Sequence, residues 1–126
     1  METSTTPASS ARYSAIFVFC IAFGALLWRA PLLLAFSYLA ISVVLLCRWR
    51  SQVYVLQFLI SLLAGSLAEA VGTGLGVWRY PGSTFFPIWL PVAWGLAGIL
   101  TRQVADGLRG RTRPQSPNVA ASRGAA

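Results

Sequence analysis

Charged residues are almost absent from the middle of this chain, and their absence constrains the fold more than any other feature. In the stretch 13–104, six residues carry a formal charge: Arg29, Arg48, Arg50, Glu69, Arg79 and Arg102. A soluble domain has about a quarter of its residues charged, whereas here 10% are charged and 56% are hydrophobic. The pattern predicts an all-α polytopic membrane protein.

Four apolar runs are separated by charged or turn-forming residues. We predict four transmembrane helices in two antiparallel hairpins, over 13–28, 30–47, 52–71 and 85–104. The first two runs cannot form one helix, because it would be roughly 50 Å long and the hydrocarbon core is ~30 Å thick. Arg29 and Pro31 therefore mark a tight turn, and Pro91 is expected to kink the fourth helix.

The two ends of the chain differ in composition from its middle. The first twelve residues are rich in Ser and Thr, and the last segment is polar and contains four arginines. We predict a disordered N-terminal lead over 1–12, a transmembrane domain over 13–104 and a disordered basic tail over 105–126.

The positions of the arginines predict the orientation of the chain in the membrane. Four spans put eight arginines on the side of both termini: Arg12, Arg48, Arg50, Arg102, Arg109, Arg111, Arg113 and Arg123. Only Arg29 and Arg79 fall on the other side. The positive-inside rule then places both termini in the cytoplasm, with the protein in the cell inner (plasma) membrane. This topology accounts for the net charge of +7, so we expect the lipid bilayer and no nucleic acid as a partner.

One face of the predicted third helix carries small or polar residues at a spacing of four. They are Gln57, Ser61, Gly65, Glu69 and Thr73. Such a face usually packs against neighbouring helices, because small residues permit close approach and polar residues form hydrogen bonds. The alternative is a polar cavity open to the outer face. Four short helices bury little surface within one chain, so we also expect a homo-oligomer or a membrane-complex partner.

The candidate polar site centres on the one acidic residue within the predicted spans. Its members are Glu69, Arg79, Arg29, Trp78, Tyr80, Trp89 and Trp94. An ionisable group within a span is costly unless it is paired, hydrated or protonated. We expect Glu69 to form an ion pair with Arg79 or Arg29, with Trp78 and Tyr80 as its cover. Handling of a substrate or a proton by Glu69 is the alternative.

The residue inventory excludes several kinds of catalytic site. The chain has no His, so the usual zinc, haem and non-haem iron sites and His-based triads lack a ligand or a base. Its only acids are Glu2, Glu69 and Asp106, which excludes a pair of acids within the spans. We therefore predict no cofactor and no metal, leave catalytic residues unassigned, and favour a protein that is not an enzyme.

The stretch 69–89 resembles a motif of small uncharacterised bacterial four-helix membrane proteins. The matching residues are Glu69, Gly72, Gly76, Trp78, Tyr80, Pro87 and Trp89. The same residues are loosely similar to the acid…Gly-x-Trp-x-aromatic…Pro pattern of membrane-bound lycopene cyclases. Those cyclases carry paired acids after the proline, where this chain has Trp89-Leu90-Pro91, so the resemblance does not extend to cyclase activity.

Several functions are compatible with these features. In size and number of spans the chain also resembles small multidrug-resistance exporters, whose single membrane Glu binds proton or drug. Their Glu lies in the first span, however, whereas Glu69 lies in the third. The alternatives to a membrane protein of unassigned activity are a lipid- or isoprenoid-binding protein or enzyme, a small-molecule transporter, and an accessory subunit of a membrane complex.

Overall fold

The protein folds into four α-helices within the residues that the structure describes, 7–82 and 85–112. The structure is a computed structural model. The helices are α1 (Pro7–Leu27), α2 (Pro31–Trp49), α3 (Gln52–Gly74) and α4 (Leu90–Thr112). No strand occurs in the described ranges, so the prediction of an all-α fold is confirmed.

The first helix begins earlier than the sequence suggested. α1 starts at Pro7, so residues 7–12 are helical and do not belong to a disordered lead. Proline is well tolerated in a first helical turn, because the N–H that it lacks would have no partner there. Residues 1–6 of the predicted lead lie outside the described ranges.

The fourth helix also continues beyond its predicted end. α4 reaches Thr112, so the part of the predicted tail up to that residue is helical. Asp106 supports this extension, because it forms ion pairs with Arg102 four residues before it and Arg109 three residues after it. Residues 113–126 lie outside the described ranges.

The prediction of a kink at Pro91 is wrong. α4 begins at Leu90 and not at Phe85, which makes Pro91 the second residue of the helix. In the first turn a proline removes no helical hydrogen bond, so the helix has no reason to bend there. Pro87 precedes the helix, and its carbonyl accepts a hydrogen bond from the Leu90 N–H at 3.0 Å.

Two of the four helices, α2 and α3, are long and apolar enough to cross a membrane. α1 contains a shorter apolar segment, Ala11–Leu27. α4 is apolar mainly in its first half, because Arg102, Asp106 and Arg109 all lie in its second half. By length and composition two helices therefore qualify as spans, and the four-span arrangement stays a prediction.

The helices pack in an antiparallel arrangement around α4. Trp49 at the end of α2 donates a hydrogen bond to the hydroxyl of Tyr13 near the start of α1, and Arg102 of α4 lies over the ring of Tyr54 on α3. We call the end that contains these four residues the terminal end, and the opposite end, with the α1–α2 turn and the α3–α4 loop, the loop end. α4 contacts all three other helices, whereas α1 and α3 do not pack against each other within the described residues.

The core lies where α4 meets its neighbours. The large apolar side chains that are fully buried are Leu34, Leu96, Ile99 and Leu100. The outward faces of the helices are also apolar, as Leu26 (80% exposed) and Leu67 (67% exposed) illustrate. Exposed apolar surfaces of this extent mark contact with lipid or with another protein.

The small and polar face of α3 packs against α4. Gly65 lies against Trp94, and Gly98 of α4 lies against the side chain of Ser61. Gln57 donates a hydrogen bond to the Ser61 hydroxyl at 3.1 Å, which satisfies the amide along the same face. The prediction that this face packs against a neighbouring helix is therefore confirmed for Gln57, Ser61 and Gly65. A larger side chain at Gly65 would push α3 and α4 apart.

We predict that Gly65→Ala destabilises the protein by about 1–3 kcal/mol, the usual cost of overpacking. The new Cβ would lie 2.6 Å from the Cβ of Trp94, and that atom cannot move away by a rotamer change. Gly74→Ala is the matched control, since nothing lies within 4 Å of its new Cβ. Thermal unfolding in detergent should show a lower midpoint for Gly65→Ala alone, and equal midpoints would contradict the tight α3–α4 contact.

Candidate functional site

The centre of the site is the carboxylate of Glu69, which is buried on α3 near the loop end (6% exposed). The Trp78 indole N–H donates a hydrogen bond to Oε2 of Glu69 at 2.9 Å. The Tyr80 hydroxyl donates to the same oxygen at 2.8 Å. Both donors belong to the α3–α4 loop, so one carboxylate oxygen fastens this loop to the helix. We call Glu69, Trp78 and Tyr80 the Glu69 clamp.

Two glycines bring the loop back over α3. Gly76 adopts a positive φ of 71°, and its N–H donates to the Thr73 carbonyl while the Val77 N–H donates to the Gly72 carbonyl. This pair of bonds is the Schellman motif, which ends a helix with a left-handed residue that glycine adopts without strain. Gly72 also leaves room for the ring of Trp78, because any side chain there would occupy the position of the indole.

The predicted ion pair between Glu69 and either arginine is not formed in the described residues. The ion pairs found there join Asp106 to its helical neighbours at the terminal end. Arg29 lies over the ring of Trp28, with its guanidinium carbon 5.2 Å from the ring centroid, and Arg79 is exposed. Neutral N–H and O–H donors satisfy the buried carboxylate instead, which avoids the cost of desolvating a second charge.

The Tyr80 hydroxyl ionises at higher pH than an ordinary tyrosine. Burial raises the pKa of Tyr80 from 10.0 to about 12, and the hydrogen bond to Glu69 and the charge of that carboxylate act in the same direction. Tyr80 is therefore a neutral donor throughout the physiological range, as its role in the clamp requires.

A groove of about 460 Å³ runs between α1 and α4. Its walls are almost entirely apolar, with Trp89 and Trp94 on one side and Ala25 on the other. Tyr38 of α2 also lines it, and the Tyr38 hydroxyl donates a hydrogen bond to the Cys20 carbonyl at 2.7 Å. The most polar group in the wall is thus already satisfied by the protein. We call this cavity the α1–α4 groove.

A second cavity, of about 400 Å³, lies at the loop end between the α1–α2 turn and the α3–α4 loop. Trp28 and Pro31 line it from the turn, and Tyr80 lines it from the loop. Trp28 and Trp89 line both this cavity and the α1–α4 groove, so the two spaces adjoin. We call this second space the loop-end cavity.

A third cavity, of about 490 Å³, lies between α3 and α4. Gln57, Ser61 and Gly65 line it, whereas Glu69 and Thr73 do not. This cavity extends towards Arg102 at the terminal end and its lining is mainly apolar, so it is not the polar cavity open to the outer face that the sequence offered as an alternative. Glu69 lines none of the three cavities, because the clamp residues enclose it.

Five of the seven predicted site residues meet around these features. Glu69, Trp78 and Tyr80 form the clamp, and Trp89 and Trp94 line the α1–α4 groove. The two arginines of the predicted site do not join the clamp. Glu69, the one buried acid among the described residues, is bonded through Oε2 to neighbours in the same chain.

Sequence reasoning missed Tyr38, a buried residue (4% exposed) that lines the groove. The buried residues of α2 are Leu34, Tyr38, Ser42 and Leu45. These residues are spaced three to four apart, as are the residues on the small and polar face of α3. The same helical spacing, applied to α2, would have placed Tyr38 on the face that packs against other helices. A buried tyrosine needs a hydrogen-bond partner for its hydroxyl. Such a residue is therefore expected beside another helix that supplies the partner.

The site combines a buried carboxylate with cavities that it does not line. In the described residues no group of three or more His, Cys, Asp and Glu side chains could hold a metal ion. The one buried carboxylate has both of its donors in place and faces no cavity described above. What the arrangement offers is an apolar groove, an adjoining cavity at the loop end, and a clamp that fixes the loop between them.

We predict that Glu69→Ala destabilises the protein by about 1.5–3 kcal/mol, the usual value for hydrogen bonds to a charged group. The substitution leaves the Trp78 and Tyr80 donors without their acceptor. Glu69→Gln keeps an acceptor oxygen in place and should cost less. Denaturant unfolding in detergent, followed by tryptophan fluorescence, measures both variants; wild-type stability of Glu69→Ala would contradict the clamp.

The pH dependence of stability gives a second test of the clamp. Because the folded pKa of Tyr80 is raised above its unfolded value of 10.0, its contribution to stability is complete below pH 10 and is lost as pH rises through about 12. Tyr80→Phe removes this titration. Wild type should therefore lose more stability than Tyr80→Phe between pH 10 and 12, and parallel curves for the two proteins would show that Tyr80 is not held in this way.

Comparisons with protein-family models, with curated proteins and with solved structures give no match. The resemblance of the stretch 69–89 to small bacterial membrane proteins and to lycopene cyclases therefore stays a prediction. Function is inferred from the clamp, the α1–α4 groove and the loop-end cavity themselves.

Proposed function

We propose that this chain is a four-span membrane protein, with both termini cytoplasmic, that binds the hydrocarbon chain of a lipid in the α1–α4 groove. The division of the arginines supports the orientation, since only Arg29 and Arg79 fall at the loop end. Aromatic residues at both ends of the bundle, such as Trp28 and Trp49, match the belts found at the two membrane interfaces. In this arrangement the loop end lies on the outer side.

The α1–α4 groove is the observation that carries the proposal. Its volume of about 460 Å³ falls within the roughly 300–1,000 Å³ that is typical of small-molecule sites. Because the Tyr38 hydroxyl is bonded to the Cys20 carbonyl, the walls offer contact with aliphatic and aromatic carbon and few free polar groups. A surface of that kind favours hydrocarbon through dispersion and close packing.

The position of the groove fits a lipid chain that enters from the bilayer. Ile21 (60% exposed) and Ala25 stand on its rim, so the groove is open on the side that would face lipid. Its lining extends over 17–28 of α1 and 90–100 of α4, or roughly 15 Å at 1.5 Å per residue. This length is about half of a ~30 Å hydrocarbon core, so the groove matches the depth of the outer leaflet.

The clamp argues against the transporter and enzyme alternatives. A proton-linked exporter needs its membrane carboxylate in contact with a cavity, whereas Glu69 is enclosed by Trp78 and Tyr80. An enzyme that acts on an isoprenoid needs an acid or base beside the groove, but no Asp, Glu or His among the described residues lines it, and the Tyr38 hydroxyl donates its proton to the Cys20 carbonyl. An accessory subunit is the remaining alternative, in which a helix of a partner or of a second copy fills the groove.

We predict that Ala25→Phe lowers lipid retention, because the added ring would fill the rim of the groove. Ala40→Phe is the matched control: it makes the same change at an exposed alanine on α2 that lines none of the cavities described above. Native mass spectrometry of the protein released from detergent should show one lipid per chain for wild type and Ala40→Phe, and little for Ala25→Phe.

Two results would contradict the proposal. Equal lipid retention by Ala25→Phe and Ala40→Phe would show that lipid adheres to the bundle without using the groove. A bound protein partner that is displaced by Ala25→Phe, in place of lipid, would assign the groove to an accessory subunit.

A further inference from the structure

We infer that the lipid carries an anionic head group, which lies in the loop-end cavity with Arg29 as its cation. This inference rests on the proposed function, because it requires the chain of the same lipid to occupy the α1–α4 groove. The inference adds to the proposed function that the lipid is anionic and that Arg29, which is not part of the clamp, selects it.

The two cavities are arranged as the two parts of one amphipathic ligand. Trp28 and Trp89 line both spaces, which therefore adjoin. The lining of the groove is almost entirely apolar, whereas the lining of the loop-end cavity is more polar. Tryptophan prefers the depth at which lipid head groups meet the hydrocarbon, which is where the two spaces join.

The charge at the loop end favours an anion. Arg29 lies over the ring of Trp28, and that ring is part of the wall of the cavity. The guanidinium is exposed and makes no ion pair among the described residues. It can therefore form the planar, charge-assisted hydrogen bonds that phosphate and carboxylate groups accept.

The acidic residues do not cancel this charge. Asp106 lies at the terminal end, where it pairs with arginines. Glu69 does not line the cavity, and its Oε2 is bonded to Trp78 and Tyr80. The first turn of α2, which begins at Pro31 on the wall of the cavity, adds the positive end of a helix dipole. Arg29 thus lies between two residues of the cavity wall, Trp28 and Pro31, whereas no acid is among the described residues that line the cavity.

The test compares phosphatidylglycerol with phosphatidylcholine of the same acyl chains, each titrated into detergent-solubilised protein and counted by native mass spectrometry. Wild type should bind the anionic lipid about fivefold more tightly, the effect expected of one arginine near a charged head group. Arg29→Gln should remove this preference but retain both lipids. Arg29→Lys should keep most of the preference, because the charge remains.

Arg79→Gln is the matched control, since it removes the same charge from the same end at an exposed residue that, unlike Arg29, is not found over a ring of the cavity wall. An equal loss of preference in Arg29→Gln and Arg79→Gln, or no preference in wild type, would overturn the head-group site while chain binding stands. If wild type binds neither lipid, or Ala25→Phe binds both as wild type does, the proposed chain site itself fails and the head-group site with it.

Discussion

The loop end of this protein depends on a single carboxylate oxygen. Oε2 of Glu69 accepts hydrogen bonds from Trp78 and Tyr80, and these bonds hold the loop between α3 and α4 against α3. A buried acid without partners would cost several kcal/mol. The two bonds offset part of that cost, and they join the loop to α3 through this acid.

The fourth helix connects this anchor to the cavities. α4 begins directly after the loop and packs against all three other helices. Its Trp94 lines both the α1–α4 groove and the α3–α4 cavity, and Trp89 joins the groove to the loop-end cavity. The close approach of α3 and α4 at Gly65 holds Trp94 against α3. The position of α4 therefore determines the shape of the α1–α4 groove and of the α3–α4 cavity.

The helices and the identity of the clamp residues could be predicted from the sequence. The predicted ion pair of Glu69 with an arginine was wrong, and the reason is geometric. Apolar runs and the spacing of four on α3 depend only on the helical period. In extended chain, however, successive side chains point in opposite directions. Trp78 and Tyr80 therefore reach Glu69, whereas Arg79 between them is exposed. The limits of α4 were also missed, because whether Pro91 bends a helix depends on where that helix begins.

The most direct test of this account is lipid retention by Glu69→Ala under conditions in which its circular dichroism shows the helix content of wild type. The account predicts that the helices persist while the loop detaches, so that bound lipid is lost in native mass spectra, and that Glu69→Gln retains it. Retention of lipid by Glu69→Ala at the wild-type level would contradict the claim that the Glu69 clamp maintains the binding site.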